Sequence, residues 1–417
     1  MSSKRIGFIG LGKLGLPVAL AMASKGHNVC GYDLNPDVET YIKEKKIPYT
    51  EVRMDELFVN NTVNYTDMES VVNNSEIIFV PVQTPHDPLY EGISRIPETR
   101  VDFNYDSLVS AMKSISSIVD TQENEKIVVI ISTVLPGTVE KYIKPILSSK
   151  IKLCYNPYFI AMGTTINDFL NPEFILLGVD DEEASNTVES FYKTIHNKRV
   201  FKTSVKNAEL IKVSYNTFIG MKIAYANTLM EICDKIGCDV DEVIDAISLS
   251  DERLISPKYL RGGMGDGGGC HPRDNIAMSW LAKSLNLSHD FFEDLMIARE
   301  DQTEWLANLS IMQNKKIYLL GKSFKPETNI QTGSPALLMA NILREKGHNV
   351  THIDPHTDGE EHFMKEFDKG DSDTVFFIST MHNYFKSLKY PINSTIIDPF
   401  RYIPDMDGVI LKRIGGK

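Results

Sequence analysis

One thiol set among glycines carries the most reactive chemistry in this sequence. The stretch Arg261-Gly262-Gly263-Met264-Gly265-Asp266-Gly267-Gly268-Gly269-Cys270-His271-Pro272-Arg273-Asp274 holds six glycines in the eight residues before Cys270. Glycines remove side chains, so a bulky ligand can reach the sulfur, and a cysteine opening a helix gains thiolate character from the dipole. Asp274 follows Cys270 by four residues, which puts both on one face of a helical turn. His271 is the immediate neighbour of the thiol; adjacent side chains diverge, so it makes a poor base for it. Lys212 and Asn216 are also four apart. They form either a solvated helical face or a pair of donors to an oxyanion.

A second constellation suits phosphate. Gly10-Leu11-Gly12-Lys13-Leu14-Gly15 follows the apolar run Arg5–Ile9 and precedes an Ala/Leu/Met-rich helical stretch. In that context the glycines allow a tight turn and close backbone approach to a pyrophosphate at a helix N-terminus. Gly10, Gly12, Lys13, Leu14 and Gly15 are therefore expected cofactor-binding residues. Asp33, 23 residues after Gly10, stands where an acid hydrogen-bonds a ribose 2′-OH. An acid there disfavours a 2′-phosphate, so the expected cofactor is NAD. Two further strand ends carry hydroxyls, Thr84 in Gln83-Thr84-Pro85 and Thr133 in Ser132-Thr133-Val134-Leu135-Pro136-Gly137-Thr138. Ligands of open α/β sheets bind outside the carboxyl ends of strands, so both threonines are candidates for cofactor contact.

The elements that position these groups alternate. Runs at 5–9, 28–32, 76–82, 126–132 and 174–179 read as strands of a doubly wound parallel sheet. Residues 205–236 read as one long helix, and 206–308 as helical throughout apart from the glycine loop. Runs at 315–321, 349–354, 374–380 and 394–398 restore the βα pattern. Lys25-Gly26-His27-Asn28-Val29, leading to Asp33, is echoed by Lys346-Gly347-His348-Asn349-Val350, leading to Asp354. The expected fold class is α/β: two Rossmann-like halves joined by a long central helix. The second half lacks GxGxxG and is expected to bind something other than a dinucleotide, with Lys325 of Gly321-Lys322-Ser323-Phe324-Lys325-Pro326 as a cation for phosphate.

Composition narrows the classes. A chain of 417 residues makes roughly two to three domains. Its hydrophobic fraction of 42% supports more than one core and excludes a disordered or disulfide-stapled chain. The formal charge of -12 argues against nonspecific nucleic-acid binding. No apolar run is long enough for a membrane span and the N-terminus is no signal peptide, so a cytoplasmic location is expected. Cys233 and Cys238 lack histidines at zinc-site spacing, and no metal is expected.

Taken together, GLGKLG (10–15), VQTP (82–85), STVLPGT (132–138), AELIKVSYN (208–216), GGGCHPRD (267–274), GKSFKP (321–326) and Ser334-Pro335 resemble the nucleotide-sugar 6-dehydrogenase family over nearly the whole chain. The resemblance implies an NAD-binding domain over 1–200, a helical central and dimerisation domain over 201–310, and a nucleotide-sugar-binding domain over 311–417. It implies four-electron oxidation of a sugar C6 alcohol using two NAD, through a Cys270 thiohemiacetal and thioester. Lys212 and Asn216 would stabilise oxyanions, and Asp274 with Thr133 would handle the hydrolytic water. Tyr259, Leu260 and Arg261 match the stretch lining the sugar pocket, with Gly267, Lys212 and Asn216 also against substrate. Lys325 would meet the diphosphate. Arg253 matches, with a one-residue offset, an arginine that reaches a neighbouring subunit's substrate, which implies a homodimer.

The chain departs from the family pattern in three places. Two family glutamates are replaced at Tyr158 and Met162, and a family arginine by Thr332. Tyr158 is left as a hydrogen-bonding group toward substrate, and Asp274 would carry more of the hydrolysis. A UDP-sugar is the implied substrate, UDP-glucose to UDP-glucuronate first. The alternatives are a UDP-N-acetylhexosamine or GDP-mannose, a two-electron β-hydroxyacid-type dehydrogenase, or a nucleotide-sugar sensor without turnover.

Overall fold

The computed structural model describes residues 3–85, 87–251, 261–265, 268–284 and 290–416. It divides into two compact units: residues 1–85 with 103–214, and residues 86–102 with 215–417.

Unit 1 is an eight-stranded sheet. Its strands are β1 (Arg5–Ile9), β2 (Asn28–Tyr32), β3 (Asn64–Tyr65), β4 (Ile77–Val80), β5 (Lys126–Ile130), β6 (Ile151–Tyr155), β7 (Ile175–Val179) and β8 (Val200–Ser204), in the order β3-β2-β1-β4-β5-β6-β7-β8. All neighbours pair parallel except β6 and β7. The expected all-parallel sheet is thus corrected at its far edge, where β7 turns back and carries β8 with it. The inner strands are continuous apolar runs because helices cover both faces. Helix α1 (Gly15–Ala23) is buried from Gly15 to Met22, and Pro17 is tolerated in its first turn, where no N–H partner exists to lose. Its Leu16, Val18, Leu20 and Met22 join Ile6, Phe8, Ile77 and Phe79 in one core. Each such side chain contributes about 1.5–3 kcal/mol.

After β4 the chain leaves unit 1 at Pro85 and returns at Phe103, before helix α2 (Asp106–Asp120). The intervening residues belong to unit 2.

Helix α3 (Val205–Ile236) matches its expected span. Its 32 residues make a rod of about 48 Å. The helical region continues as α4 (Val240–Ser248), α5 (Cys270–Ser284) and α6 (Phe291–Ser310). Asp239 caps α4 through the N–H groups of Asp241 and Glu242. Beyond it, β9 (Lys316–Leu320), helix α7 (Pro335–Glu345), β10 (Val350–Ile353), β11 (Thr374–Ile378), β12 (Thr395–Asp398) and β13 (Ile410–Arg413) build a five-stranded parallel sheet in the order β10-β9-β11-β12-β13. Separate apolar clusters cover its two faces, one from α3, α4, α6 and α7, the other rich in phenylalanine.

Close backbone contacts fix the glycine-rich segments of unit 2. Gly333 has φ +68°, and a Cβ there would lie 2.1 Å from Gly269 Cα. Gly347 has φ +83° with nothing within 4 Å. Gly333→Ala is expected to cost about 2–4 kcal/mol, from a strained backbone plus a steric clash. Gly347→Ala should cost about 1–2 kcal/mol, from the left-handed conformation alone. Thermal unfolding of both variants checks the difference; equal losses would remove the packing argument.

Candidate active site

In unit 1 the three glycines of the first turn do three different things. Gly10 has φ +110°, and its N–H donates to Tyr32 O at 2.8 Å, closing the turn. Gly15 lets α1 sit on the turn: a Cβ there would be 2.1 Å from Gly10 O. Gly12 has only the Gln83 side chain near, at 3.9 Å, leaving an open approach to its backbone. That is the arrangement a pyrophosphate at a helix N-terminus requires. Asp33 accepts from Leu11 N at 2.6 Å through one oxygen and from Asn35 N at 2.8 Å through the other. A carboxylate has about four acceptor sites, so a ribose hydroxyl can still bind beside them.

Thr84 is buried, and its hydroxyl donates to Thr133 O at 2.6 Å. Its donor therefore ties two strand ends together. The Ser132–Thr138 loop is held from α3 by Glu209, a residue the sequence reading missed. Its carboxylate accepts from Gly137 N at 2.5 Å and Val139 N at 2.9 Å. Glu209 is fully buried, and burial pushes its carboxyl above the ordinary value although the two N–H groups oppose this. Lys212, one turn on, is 6% exposed, with Nζ 5.3 Å from the centre of the Phe159 ring. The solvated-face reading of Lys212 is corrected: a buried ammonium over an aromatic face is a built position.

Tyr158 also needs correction. Expected toward substrate, it packs edge-on to Phe169 at 5.6 Å, with its hydroxyl 3.1 Å from that of Tyr192. The Tyr192 proton goes to Asn156 Oδ1 at 2.5 Å. Burial pushes the Tyr158 pKa up. The ring packs against the unit 1 core, where phenylalanine and tyrosine already line that space.

In unit 2, Cys270 is a half-buried free thiol and the first residue of α5. Asp274, one turn later, is fully buried. Asn216 Nδ2 donates to one of its oxygens at 2.5 Å, and Arg273 Nε to the other at 3.1 Å. Burial works against the Arg273 charge, but Asp274 and Cys270 beside it, and Glu91, outweigh it and push its pKa up. Gly220 lets α5 approach α3: a Cβ there would be 3.1 Å from Asn275 Nδ2 and 3.7 Å from His271 Cβ. Asn227, a further residue missed in the sequence, grips the first part of the glycine loop at two points. It accepts from Gly263 N at 2.9 Å and donates to Gly265 O at 2.7 Å.

The loop glycines do more than open a path to sulfur. A Cβ on Gly268 would be 2.6 Å from the Phe324 ring, one on Gly269 2.8 Å from Thr332 O, and one on Gly265 2.3 Å from Pro335. The loop is close-packed on the segment that carries Lys325. Lys325 Nζ lies 5.6 Å from the Phe324 ring centre. Arg261 is corrected in part: it is exposed and pairs with Asp245 at 2.8 Å. Arg253, Tyr259, Leu260 and Gly267 lie outside the described residues.

The second sheet repeats the first turn and then closes it. Gly321 has φ +108° and donates to Ile353 O at 2.8 Å, as Gly10 does to Tyr32. Asp354 accepts from Lys322 N at 2.6 Å, as Asp33 does from Leu11. His382 then fills the place beside it, Nε2 lying 3.1 Å from Asp354 Oδ2 and Nδ1 accepting from Glu327 N at 3.0 Å. Asp354 is fully buried and has no room for a ribose. Glu327, His356 and His382 cluster as metal ligands can, but both His382 nitrogens are engaged, so this donor set does not suit a metal.

Burial would raise the Asp354 pKa, but His382 foremost, with the backbone N–H groups, holds it well below the usual carboxylate range. A depressed folded-state pKa adds stability that is complete above the unfolded value of 3.8 and is lost as pH falls through the folded value. Asp354→Asn should cost about 2–3 kcal/mol at pH 7, since it unmakes charged hydrogen bonds in a buried site. The deficit should shrink as pH falls below 3.8. Denaturant unfolding across pH checks this; a pH-independent deficit would disprove the linkage.

Comparison with known proteins agrees with this geometry. Residues 4–196 match the NAD-binding domain, and residues 206–298 the central domain, of the UDP-glucose/GDP-mannose dehydrogenase family. A UDP-glucose 6-dehydrogenase of Bacillus subtilis is 31% identical over 84% of this chain and 76% of its own length. A GDP-mannose 6-dehydrogenase of Pseudomonas aeruginosa is 27% identical over 84% of this chain and 81% of its own. Among solved structures, a UDP-D-ManNAc dehydrogenase from Pyrococcus horikoshii superposes with a TM-score of 0.80 at 25% identity, covering 99% of each chain. With its dinucleotide turn, its second closed turn and its thiol at a helix start, the chain belongs to the UDP-glucose/GDP-mannose dehydrogenase family, as an NAD-dependent oxidoreductase acting on a CH–OH group.

Proposed function

We propose that this protein is a nucleotide-sugar 6-dehydrogenase that carries out the full four-electron oxidation of a UDP-sugar, UDP-glucose to UDP-glucuronate. The observation that carries the reading is Cys270 at the start of α5, one turn before a buried Asp274 held by Asn216 and Arg273. A dehydrogenase that stops at two electrons needs no such thiol. The name of the Bacillus relative supports UDP-glucose.

NAD, when bound, supplies the hydride acceptor, and Gly10, Gly12, Lys13, Leu14, Gly15 and Asp33 are the residues that would hold it. The C6 alcohol loses a hydride and a proton and becomes an aldehyde. The Cys270 thiolate adds to the aldehyde carbon, and the oxygen takes a proton to give a thiohemiacetal. Loss of a second hydride and the hydroxyl proton leaves a thioester. Water adds to its carbonyl, the C–S bond breaks, and carboxylate and thiolate are released. Lys212 and Asn216 stabilise the oxyanions of addition and hydrolysis. Asp274 and Thr133 orient the water through acceptor positions not used by Asn216 and Arg273. Lys325, on the close-packed 321–326 loop, meets the diphosphate. The exposed Leu210 and Phe218 of α3 support this helix as the surface for a second copy.

The test is NADH formed per sugar consumed, across UDP- and GDP-sugars. Two NADH and a uronate are expected. One NADH with an aldehyde or ketone would favour two-electron chemistry, and tight binding without turnover a sensor. Cys270→Ser should abolish uronate formation, by about 1,000-fold or more, while NAD binding survives. Full four-electron turnover by that variant would remove Cys270 from the mechanism. Lys325→Ala should weaken nucleotide-sugar binding about tenfold or more and leave NAD binding unchanged, one lost charged hydrogen bond being worth about 1.5–3 kcal/mol; equal loss of both would undo the assignment.

A further inference from the structure

The turn after β12 is built around one carboxylate. Asp398 ends the strand and is fully buried. Its Oδ1 accepts from Phe400 N and Arg401 N, both at 2.9 Å, and its Oδ2 from Tyr402 N at 2.7 Å and Ile403 N at 2.8 Å. Within this turn Arg401 has φ +58°. A residue with a side chain keeps that left-handed conformation only where its surroundings over-determine it, and such positions gather at functional sites. Glycine would meet the turn without strain. What arginine adds is its side chain.

That side chain is 5% exposed and all three of its nitrogens donate. Nε donates to Asp241 Oδ2 of α4 at 2.8 Å, and Nη2 to Asp241 Oδ1 at 3.3 Å. Nη2 also donates to Gly262 O at 2.7 Å, and Nη1 to Ile414 O at 2.9 Å. A planar fork serves a carboxylate and two carbonyls at once, which a single ammonium cannot do. Gly262 opens the glycine loop that leads to Cys270, and residues 262–265 are buried. Phe400 fills the space over Gly263, where a Cβ would be 2.8 Å from its ring. Asn227 accepts from Gly263 N, and Gln302 Nε2 of α6 donates to Gly263 O at 3.0 Å. The turn after β12 thus supplies both a polar tie and a packing surface to the start of this loop. Arg261 Nη1 is 3.9 Å from Asp241 but 2.8 Å from Asp245, so Arg401 is the closer partner of Asp241.

We propose that Arg401 is a positioning residue that, through Gly262 O, sets the place of the glycine loop leading to Cys270 and so the fit of the nucleotide sugar, while its pairing with Asp241 serves stability alone. The two roles of the guanidinium are separable because they use different acceptors. With Asp241 neutralised, the bonds to Gly262 and Ile414 remain. With the guanidinium gone, the loop loses its first tie, and a small displacement of a positioning element is costly at a distance. The effect on sugar binding rests on the proposed nucleotide-sugar chemistry; the effect on the loop does not.

The experiment compares Arg401→Met, Arg401→Lys and Asp241→Asn in the full chain. Hydrogen exchange of the peptide spanning 262–270 and alkylation of Cys270 by iodoacetamide are followed by mass spectrometry, without sugar or NAD. In Arg401→Met both should run about threefold faster or more, as a local opening at the loop requires. In turnover, KM for the UDP-sugar should rise about tenfold with KM for NAD unchanged. Arg401→Lys should fall between that variant and the parent, and it carries the test if Arg401→Met does not fold. Asp241→Asn should lower the melting temperature while loop exchange, alkylation and KM for sugar stay at the parent values. Loop exchange unchanged in the Arg401 variants would overturn the proposal. So would an Asp241→Asn that matches Arg401→Lys in loop exchange and sugar KM, since Arg401 would then act only by holding α4. Faster loop exchange in a protein whose parent makes only one NADH per sugar would uphold the anchor and reject the four-electron reading.

Discussion

The candidate residues of each unit depend on one stripe of one helix. Glu209, Lys212, Asn216, Gly220 and Asn227 of α3 recur at spacings of three, four, four and seven. At 100° per residue they stay within a narrow sector of the helix surface. Each has a different task. Glu209 holds the Ser132–Thr138 loop, Lys212 is seated over Phe159, Asn216 bonds Asp274, Gly220 admits α5, and Asn227 grips the glycine loop. Within each unit, the helix holds the loop it touches. Neither a proline nor a charged residue other than Glu209 and Lys212 interrupts the stripe.

Buried carboxylates are the second organising device. An ionised carboxylate taken out of water has to be matched by donors. Glu209, Asp274 and Asp354 are each fully buried and each matched, by backbone N–H groups, by Asn216 with Arg273, and by backbone N–H groups with His382. Glu209 and Asp354 each hold a loop, and Asp274 ties α5 to α3. The pair Asp33 and Asp354 shows the same device diverging. Both bind the N–H group of the residue after the turn glycine, but only Asp354 is sealed by a histidine. The two halves therefore share a turn but not the space beside its carboxylate.

Much of this was legible in the sequence. The glycine turn, the strand runs, the span of α3, the Lys/Asn and Cys/Asp spacings and the internal echo follow from periodicity and from residues whose chemistry is local. What misled was the meaning of particular side chains. Tyr158 read as polar and turned inward, because a phenol can satisfy its hydroxyl against Tyr192 while its ring joins the core. The loop glycines read as access to sulfur and serve equally as contact surfaces for Phe324, Thr332 and Pro335. The short strands β3, β6, β8 and β13 gave no clear run, and β6 and β7 pair in the opposite sense to the rest.

The sequence by itself determined the class of fold, the family and the reactive groups, because these depend on residue types at short, fixed spacings. The tertiary structure alone decided which groups share a partner. That Asn216 reaches Asp274, that His382 closes Asp354, and that the residues between β4 and α2 rest on α5 are long-range facts. Asp354 and His382 are 28 positions apart, Asn216 and Asp274 58, and Arg100 and Ser279 179, and no spacing along the chain encodes which of many polar side chains a buried charge will meet.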